Sequence, residues 1–280
     1  MLIALIHWLL TAGLTVLYAV YGTHPQGFLG VLAFAGVMLG FFVGIAVLIV
    51  LAFFFVMLVF EKSDPRKMFK HRFVIALGKY YCLLILRVRL VATGKENVPK
   101  HNRYVMYSNH IEASDPMYIK MLFKNSPMSF ISKEVLFKMP IVGRTLKSLG
   151  CIPISPGADR SALNSILEGI KRVKGGLPYG VFPEGRRTYS NDIIEFKPGS
   201  FKLATKADAD IIPVCVYGMH EINRKGRILP VTVRVHVFPA ITPAEYRDVD
   251  TVVLAKRVEQ LVFDKMAEFK RLDANAKNHD

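Results

Sequence analysis

The sequence predicts an α/β fold, a largely parallel sheet covered by helices, preceded by an N-terminal helical membrane hairpin. Three observations predict it. Residues 2–21 and 28–60 contain no Asp, Glu, Lys or Arg. A basic cluster follows at once: Lys62, Arg66, Lys67, Lys70 and Arg72. Beyond residue 87, short apolar runs alternate with helical patterns, the arrangement that builds parallel sheets.

A spanning helix needs roughly 20 apolar residues, so both N-terminal segments qualify and the second is over-long. The first lacks a basic leader and a small-residue cleavage site, which argues against a signal peptide. The turn between them, 22–27, has no Lys or Arg. By the positive-inside rule both hairpin ends lie in the cytoplasm. The expectation is an integral membrane protein whose α/β domain sits on the cytoplasmic face. The basic cluster should also attract anionic membrane lipids, on the order of 1 kcal/mol per side chain near the surface. Gly36, Gly40 and Gly44 form a smooth helix face suited to packing on the first helix or to self-association with another chain.

The domain reading is a hairpin over 1–61, a basic juxtamembrane amphipathic helix within 62–86, and a cytosolic domain over 87–280. Alternation and turn signals place strands at 87–93, 104–107, 128–131, 151–154, 180–182, 211–217 and 232–238. Helices are predicted at 116–124, 142–149, 160–174, 200–206 and, as one long element, 243–272. Ligands in such domains collect beyond the carboxyl ends of strands.

Lys and Arg number 37 against 22 Asp and Glu, a net charge of +15. That balance suits a polyanion. With 52% hydrophobic residues and no nucleic-acid-binding motif, lipid is the expected partner and nucleic acid is not. Cys82, Cys151 and Cys215 read as reduced core residues, without metal spacing. No metal or bound cofactor is expected.

Ser108-Asn109-His110-Ile111-Glu112-Ala113-Ser114-Asp115-Pro116 carries the most chemical information. His110 and Asp115 would lie about 140° apart on a continuous helix. They meet only if His110 ends a strand and Asp115 opens the next helix, as Asp-Pro favours. An N-cap beside a loop histidine produces the same pattern. The chemical alternative is a dyad: a neutral imidazole that takes a proton, oriented by a carboxylate on its other nitrogen. No protein nucleophile is evident, so the substrate would bring the hydroxyl. Acyl transfer from a thioester to an alcohol suits that arrangement. His220, beside Glu221, is the one rival histidine. A second segment, Val181-Phe182-Pro183-Glu184-Gly185-Arg186-Arg187-Thr188, offers a carboxylate and a guanidinium just past another strand. Its structural alternative is a Glu184–Arg187 salt bridge on a loop.

His110–Asp115 followed by Phe182-Pro183-Glu184-Gly185-x-Arg187 resembles the 1-acylglycerol-3-phosphate (lysophosphatidic acid) acyltransferase family. Gly94-x-Glu96-Asn97-x-Pro99, Lys133-Glu134, Pro140, Gly143, Gly150, Phe196-Lys197-x-Gly199 and Ile212-Pro213-Val214 extend the likeness over about 90–240. The resemblance implies an enzyme moving a fatty acyl group from an acyl thioester donor, acyl-CoA or acyl carrier protein, to a lysophospholipid acceptor. It implies His110 as base, Asp115 as its partner, Glu184 and Gly185 shaping the acceptor pocket, and Arg187 on the acceptor phosphate. Lys197 is a further phosphate contact. Two departures bear on the acceptor. Ile154-Ser155-Pro156 stands where many members carry Ile-Asp-Arg, and Arg160 either substitutes or holds a separate position. Arg186 replaces a small polar residue. Lysophosphatidic acid is the first acceptor. Another lysophospholipid or glycerol 3-phosphate, by acyl transfer or transacylation, is the alternative, and a non-enzymatic anionic-lipid-binding module the remote one.

Overall fold

The computed structural model describes residues 2–22, 26–82, 86–155 and 159–277, in two units, Met1–Lys62 and Ser63–Asp280. His24 and Pro156 lie outside the described residues.

In the first unit, α1 (Leu2–Tyr21) packs on α2 (Gly27–Val59). Both are long and apolar enough to cross a membrane. The contact is polar at its centre. His7 Nε2 lies 2.8 Å from the Phe42 carbonyl oxygen, and its ring stacks on Phe42 at 4.2 Å. Thr11 and Thr15 return their hydroxyls to the carbonyls four residues earlier. These groups are therefore satisfied without water. Side chains built at Gly36, Gly40 and Gly44 would meet nothing within 4 Å, so of the two uses the sequence offered, the glycine face does not serve packing on α1.

The second unit is built on a seven-stranded sheet in the order β1-β7-β6-β2-β5-β3-β4. The strands are β1 (Val88–Thr93), β2 (Tyr104–Ser108), β3 (Ser129–Lys133), β4 (Ile152–Ile154), β5 (Tyr179–Val181), β6 (Asp210–Tyr217) and β7 (Val231–Val237). β2 through β6 run parallel, as expected. β7 is antiparallel to β6, and β1 is parallel to β7, so these two run against the rest. The cause is the 218–230 connection. It carries no crossover helix, and a strand returning without one must pair antiparallel.

The helices are α3 (Met68–Tyr80), α4 (Asp115–Leu122), α5 (Glu134–Phe137), α6 (Pro140–Ser148), α7 (Asp159–Lys174), α8 (Pro198–Ala207), α9 (Pro243–Tyr246) and α10 (Thr251–Lys277). The long C-terminal helix of the sequence reading is two helices. Thr242 and Glu245 form a capping box at α9, and Asp250 accepts a bond from the Val252 amide at 2.7 Å, so each segment has its own start. Leu254, Val258, Val262, Met266 and Phe269 form the buried stripe of α10. β2 is buried at all of its residues, and Tyr107 stacks on Phe201 of α8 at 4.1 Å.

Helix α3 belongs to the second unit, and its basic residues are used differently from the sequence reading. Lys70 is buried, donating to the carbonyls of Ser63 at 3.0 Å and Ser148 at 2.5 Å. It is thus withdrawn from any headgroup. Arg66 is paired with Asp64 at 2.8 Å and donates to Gly175 O. His71 Nε2 donates to Pro65 O at 2.6 Å, leaving Nδ1 to accept from buried Lys120 at 2.7 Å. Burial drives the His71 pKa down to about 3 and that of Lys120 to about 7.

Lys120 makes stability depend on pH. Between about 7 and the ordinary 10.5, the unfolded chain holds a proton that the folded chain has released, so stability rises with pH across that window. In the Lys120→Met variant this contribution should vanish. Chemical unfolding of the detergent-solubilised chain between pH ~7 and ~9 should give the wild type an extra slope of up to about 1.4 kcal/mol per pH unit. Identical slopes for both proteins would refute the assignment.

Candidate active site

The site forms where β2 and β5 end. After Ser108 the main chain leaves the sheet, and the Asn109 side chain takes over the pairing. Its Nδ2 donates to Val216 O and its Oδ1 accepts from Val216 N, each at 2.9 Å. An amide side chain reproduces both halves of a peptide's hydrogen bonding. The turn stays pinned to β6 while the backbone swings His110 outward.

His110 Nδ1 lies 2.8 Å from Asp115 Oδ2. The same oxygen accepts from the amides of Ile111 at 2.6 Å and Glu112 at 3.0 Å. Asp115 is fully buried, while the His110 side chain keeps 18% of its surface exposed. Burial raises the Asp115 pKa, against the lowering effect of the bonds from His110, Glu112 and Ile111. Ser114 holds the N-cap position of α4, so Asp115 is not a cap, and its carboxylate faces back into the turn. Among the described residues, His110 Nε2 makes no hydrogen bond. The ring face stacks on Phe182 at 4.1 Å, and Phe182 lies at 6.1 Å from Phe130.

The segment after β5 closes on this turn. Thr188 N donates to His110 O at 2.9 Å, and Tyr189 N donates to Ile111 O at 3.2 Å. Glu184 is buried and accepts from the His110 amide at 3.2 Å. Desolvation is the main cause that pushes its pKa up to about 8, with the Asp115 charge adding to it. No Glu184–Arg187 ion pair forms among the described residues, which removes the loop salt bridge. Arg187 lies over the Tyr189 ring at 5.0 Å instead.

Gly185 sits at φ +72°, a left-handed conformation that favours glycine, and a Cβ there would approach Lys197 Nζ to 3.0 Å. The Lys197 amide donates to Pro183 O at 3.1 Å. Lys197 therefore stands beside the 183–187 turn, with an exposed side chain.

Arg160 is not brought into this group. It is exposed in the first turn of α7, past edge strand β4, three places from β2 in the sheet. The rival His220 lies 3.3 Å from Glu221, its own neighbour. Asn109 is the site residue that sequence reasoning missed. The available signal was an amide residue placed directly between a strand and the histidine.

A sequence profile described as Acyltransferase matches residues 89–217, which include His110, Asp115, Glu184 and Arg187. A 1-acyl-sn-glycerol-3-phosphate acyltransferase of Borreliella burgdorferi is 30% identical over 190 residues, 67% of this chain and 76% of that protein. The chloroplastic 1-acyl-sn-glycerol-3-phosphate acyltransferase LPAT1 of Arabidopsis thaliana is 27% identical over 164 residues, 58% of this chain and 45% of the relative. The crystal structure of the 1-acyl-sn-glycerophosphate (LPA) acyltransferase PlsC of Thermotoga maritima shares the fold, with a TM-score of 0.63 and 24% identity over 80% of this chain and 95% of its own. With the His110–Asp115 pair and the 183–187 turn assembled at one sheet end, this chain belongs to the 1-acyl-sn-glycerol-3-phosphate acyltransferase family.

Proposed function

We propose that this enzyme moves a fatty acyl group from an acyl thioester to the free hydroxyl of 1-acylglycerol 3-phosphate, giving phosphatidic acid at the cytoplasmic face of a membrane. The observation that carries the reading is the asymmetric histidine. Nδ1 is held by a buried carboxylate, Nε2 makes no hydrogen bond among the described residues, and the side chain keeps 18% of its surface exposed.

In this mechanism the acceptor hydroxyl gives its proton to His110 Nε2 as its oxygen attacks the thioester carbonyl. A C–O bond forms, the tetrahedral centre collapses, and the C–S bond breaks. The imidazolium returns its proton to the departing thiolate. Asp115 holds the Nδ1 proton throughout and stabilises the imidazolium. No protein-bound acyl intermediate is formed. Arg187 supplies the fork that matches a phosphate, and Lys197, beside the same turn, a second cation. Glu184 acts as a positioning residue through the His110 amide. The acceptor is a lipid that stays in the bilayer, because each buried methylene contributes roughly 0.8 kcal/mol. The hairpin supplies the anchor. Arg186, exposed beside Arg187, favours a second reading in which the acceptor carries more negative charge than one phosphate monoester.

A matrix of acyl-CoA and acyl carrier protein donors against lysophosphatidic acid, other lysophospholipids and glycerol 3-phosphate tests the assignment. Lysophosphatidic acid should give the highest kcat/KM, and clear preference for a different acceptor would displace it. His110→Ala should lower kcat by at least ~10²–10⁴. Asp115→Asn should fall to a similar level while still binding acceptor.

Arg187→Lys should raise acceptor KM about tenfold or more, because one ammonium replaces a two-pronged contact. A KM that stays at the wild-type value would remove Arg187 from the phosphate.

Glu184 gives a pH signature. Its unfolded carboxyl ionises near 4.5 and its folded carboxyl near 8, so the folded state binds more protons between those values and stability falls as pH rises through them. Glu184→Gln keeps the acceptor oxygen and removes the titration. It should be more stable than wild type by up to a few kcal/mol above pH ~8, and equal to it below pH ~4.5, in chemical unfolding.

A further inference from the structure

The second unit holds a cleft that neither the His110–Asp115 pair nor the 183–187 turn uses. Its volume is about 940 Å³, and it is lined by the end of β6, the 218–230 connection, the start of β7 and Asp273 of α10. A concavity of that size suits a small molecule rather than the face of a folded protein.

Four cations line it, Arg224, Lys225, Arg227 and Arg234, against two carboxylates, Glu221 and Asp273. Both carboxylates are already taken. Arg224 lies 3.4 Å from Glu221, and Arg234 lies 2.7 Å from Asp273. Among the described residues, no carboxylate pairs with Lys225 or Arg227. Lys225 is exposed. Arg227 is fixed instead by carbonyls: its side chain donates to Ile222 O at 3.2 Å, Leu229 O at 2.8 Å and Leu86 O. These bonds hold the guanidinium still and leave its charge unmatched, with N–H groups to spare. Fixed cations without counter-charges are what an anion site needs, because little reorganisation is left for binding to cost. Ile228, Leu229 and Pro230 add an apolar stretch of wall. Cations beside an apolar wall match a nucleotide, which is phosphate at one end and a flat base at the other.

The topology says which substrate this serves. In the order β6-β2-β5, the His110 turn has one neighbour on each side. On the β5 side stand Arg187 and Lys197, which the acyl-transfer reading gives to the acceptor phosphate. On the β6 side, Val216 is bonded to the Asn109 side chain, and the next two residues, Tyr217 and Gly218, line the cleft. Asn191 lines it too. Its Oδ1 accepts from the Gly218 amide at 2.9 Å, and it lies two residues past Tyr189, whose amide is bonded to Ile111 O. The cleft is thus tied to the His110 turn twice over, one strand away. Neighbouring strands lie about 4.8 Å apart, a step that a pantetheine arm spans. With the acceptor on one side of His110, the thioester donor enters from the other.

We propose that this cleft binds the adenosine 3′-phosphate 5′-diphosphate end of acyl-CoA, with Lys225 and Arg227 on its phosphates and the pantetheine arm leading to His110. The proposal rests on the acyl-transfer reading and names its donor. A carrier protein, which presents a single phosphate on a folded surface, does not fill such a cleft.

Binding is measured by isothermal titration calorimetry on the full-length chain in detergent micelles, with no acceptor present. CoA should bind at least about tenfold more tightly than pantetheine, and adenosine 3′,5′-bisphosphate should compete with CoA. Equal affinity for CoA and pantetheine overturns the proposal. Arg224→Glu combined with Lys225→Glu reverses two exposed charges and should weaken CoA about tenfold or more. Lys100→Glu, exposed at the amino end just before β2, should leave CoA affinity unchanged. An unchanged affinity in the double variant, or an equal loss in Lys100→Glu, overturns the site.

Turnover supplies the second readout. In the double variant, kcat/KM for acyl-CoA should fall about tenfold relative to that for S-acyl pantetheine, which has no phosphate. An equal fall for both donors means a general loss and overturns the site. A fall on acyl carrier protein as large as that on acyl-CoA overturns the nucleotide assignment. The two readings fail separately. CoA binding that depends on these cations, without acylation of lysophosphatidic acid, refutes the acceptor and keeps the donor site. Full acylation from acyl-CoA by the double variant does the opposite.

Discussion

A single carboxylate oxygen organises the reactive end of this protein. Asp115 Oδ2 receives the His110 ring and the amides of Ile111 and Glu112. Removing a carboxylate from water costs several kcal/mol, so a buried one persists only where donors replace the lost hydration. Here the three donors come from the tight turn between β2 and α4. The turn cannot open without stranding the charge, and the charge cannot stay buried without the turn. Orientation of the imidazole follows from that mutual requirement. The other oxygen, Oδ1, is buried and makes no hydrogen bond among the described residues. Only half of the carboxylate is thus compensated, which accounts for a raised pKa despite three donors.

The turn is held from outside as well. Asn109 fixes its first residue to β6, the Glu184 carboxyl takes the His110 amide, and Thr188 takes the His110 carbonyl. Three strands, β6, β2 and β5, therefore position one histidine. Neighbouring parallel strands all end at the same level, so three consecutive connections can converge without any of them being long. The positive φ at Gly185 turns the last of these connections sharply enough to leave Lys197 beside it.

Much of this was legible in the sequence because it is local. Seven strands could be read from apolar alternation, and the spacing of His110 and Asp115 required a strand, a turn and a helix start in that order. What was not legible depends on distant partners. Asn109 looked like any loop residue, since its partner Val216 is more than a hundred positions away. The basic face of α3 looked free to meet lipid headgroups, but Lys70 and His71 meet carbonyls and Lys120 brought in by the fold. The split between α9 and α10 was local and could have been read: Thr242 with Glu245, and Asp250, are two starts within one apolar pattern. The reversed direction of β7 was not readable from length: the 218–230 connection is long enough for a crossover and carries only the 3-10 turn Met219–Asn223.

The net charge of +15 is spent in two opposite ways at the two ends of the sheet. At the amino end, Lys70 and Lys120 are buried against carbonyl oxygens, where cations act as fixed donors and lock α3 to the strands. At the carboxyl end, Arg186 and Lys197 are exposed around the reactive turn and keep their charge available. Lys120, buried against a carbonyl and a neutral imidazole nitrogen, loses hydration without gaining an opposite charge, which is why its pKa falls. An arginine left in water keeps its affinity for phosphate. The same residue class thus stiffens one end and stays exposed and charged at the other, and the parallel topology keeps the two apart by the full length of the strands.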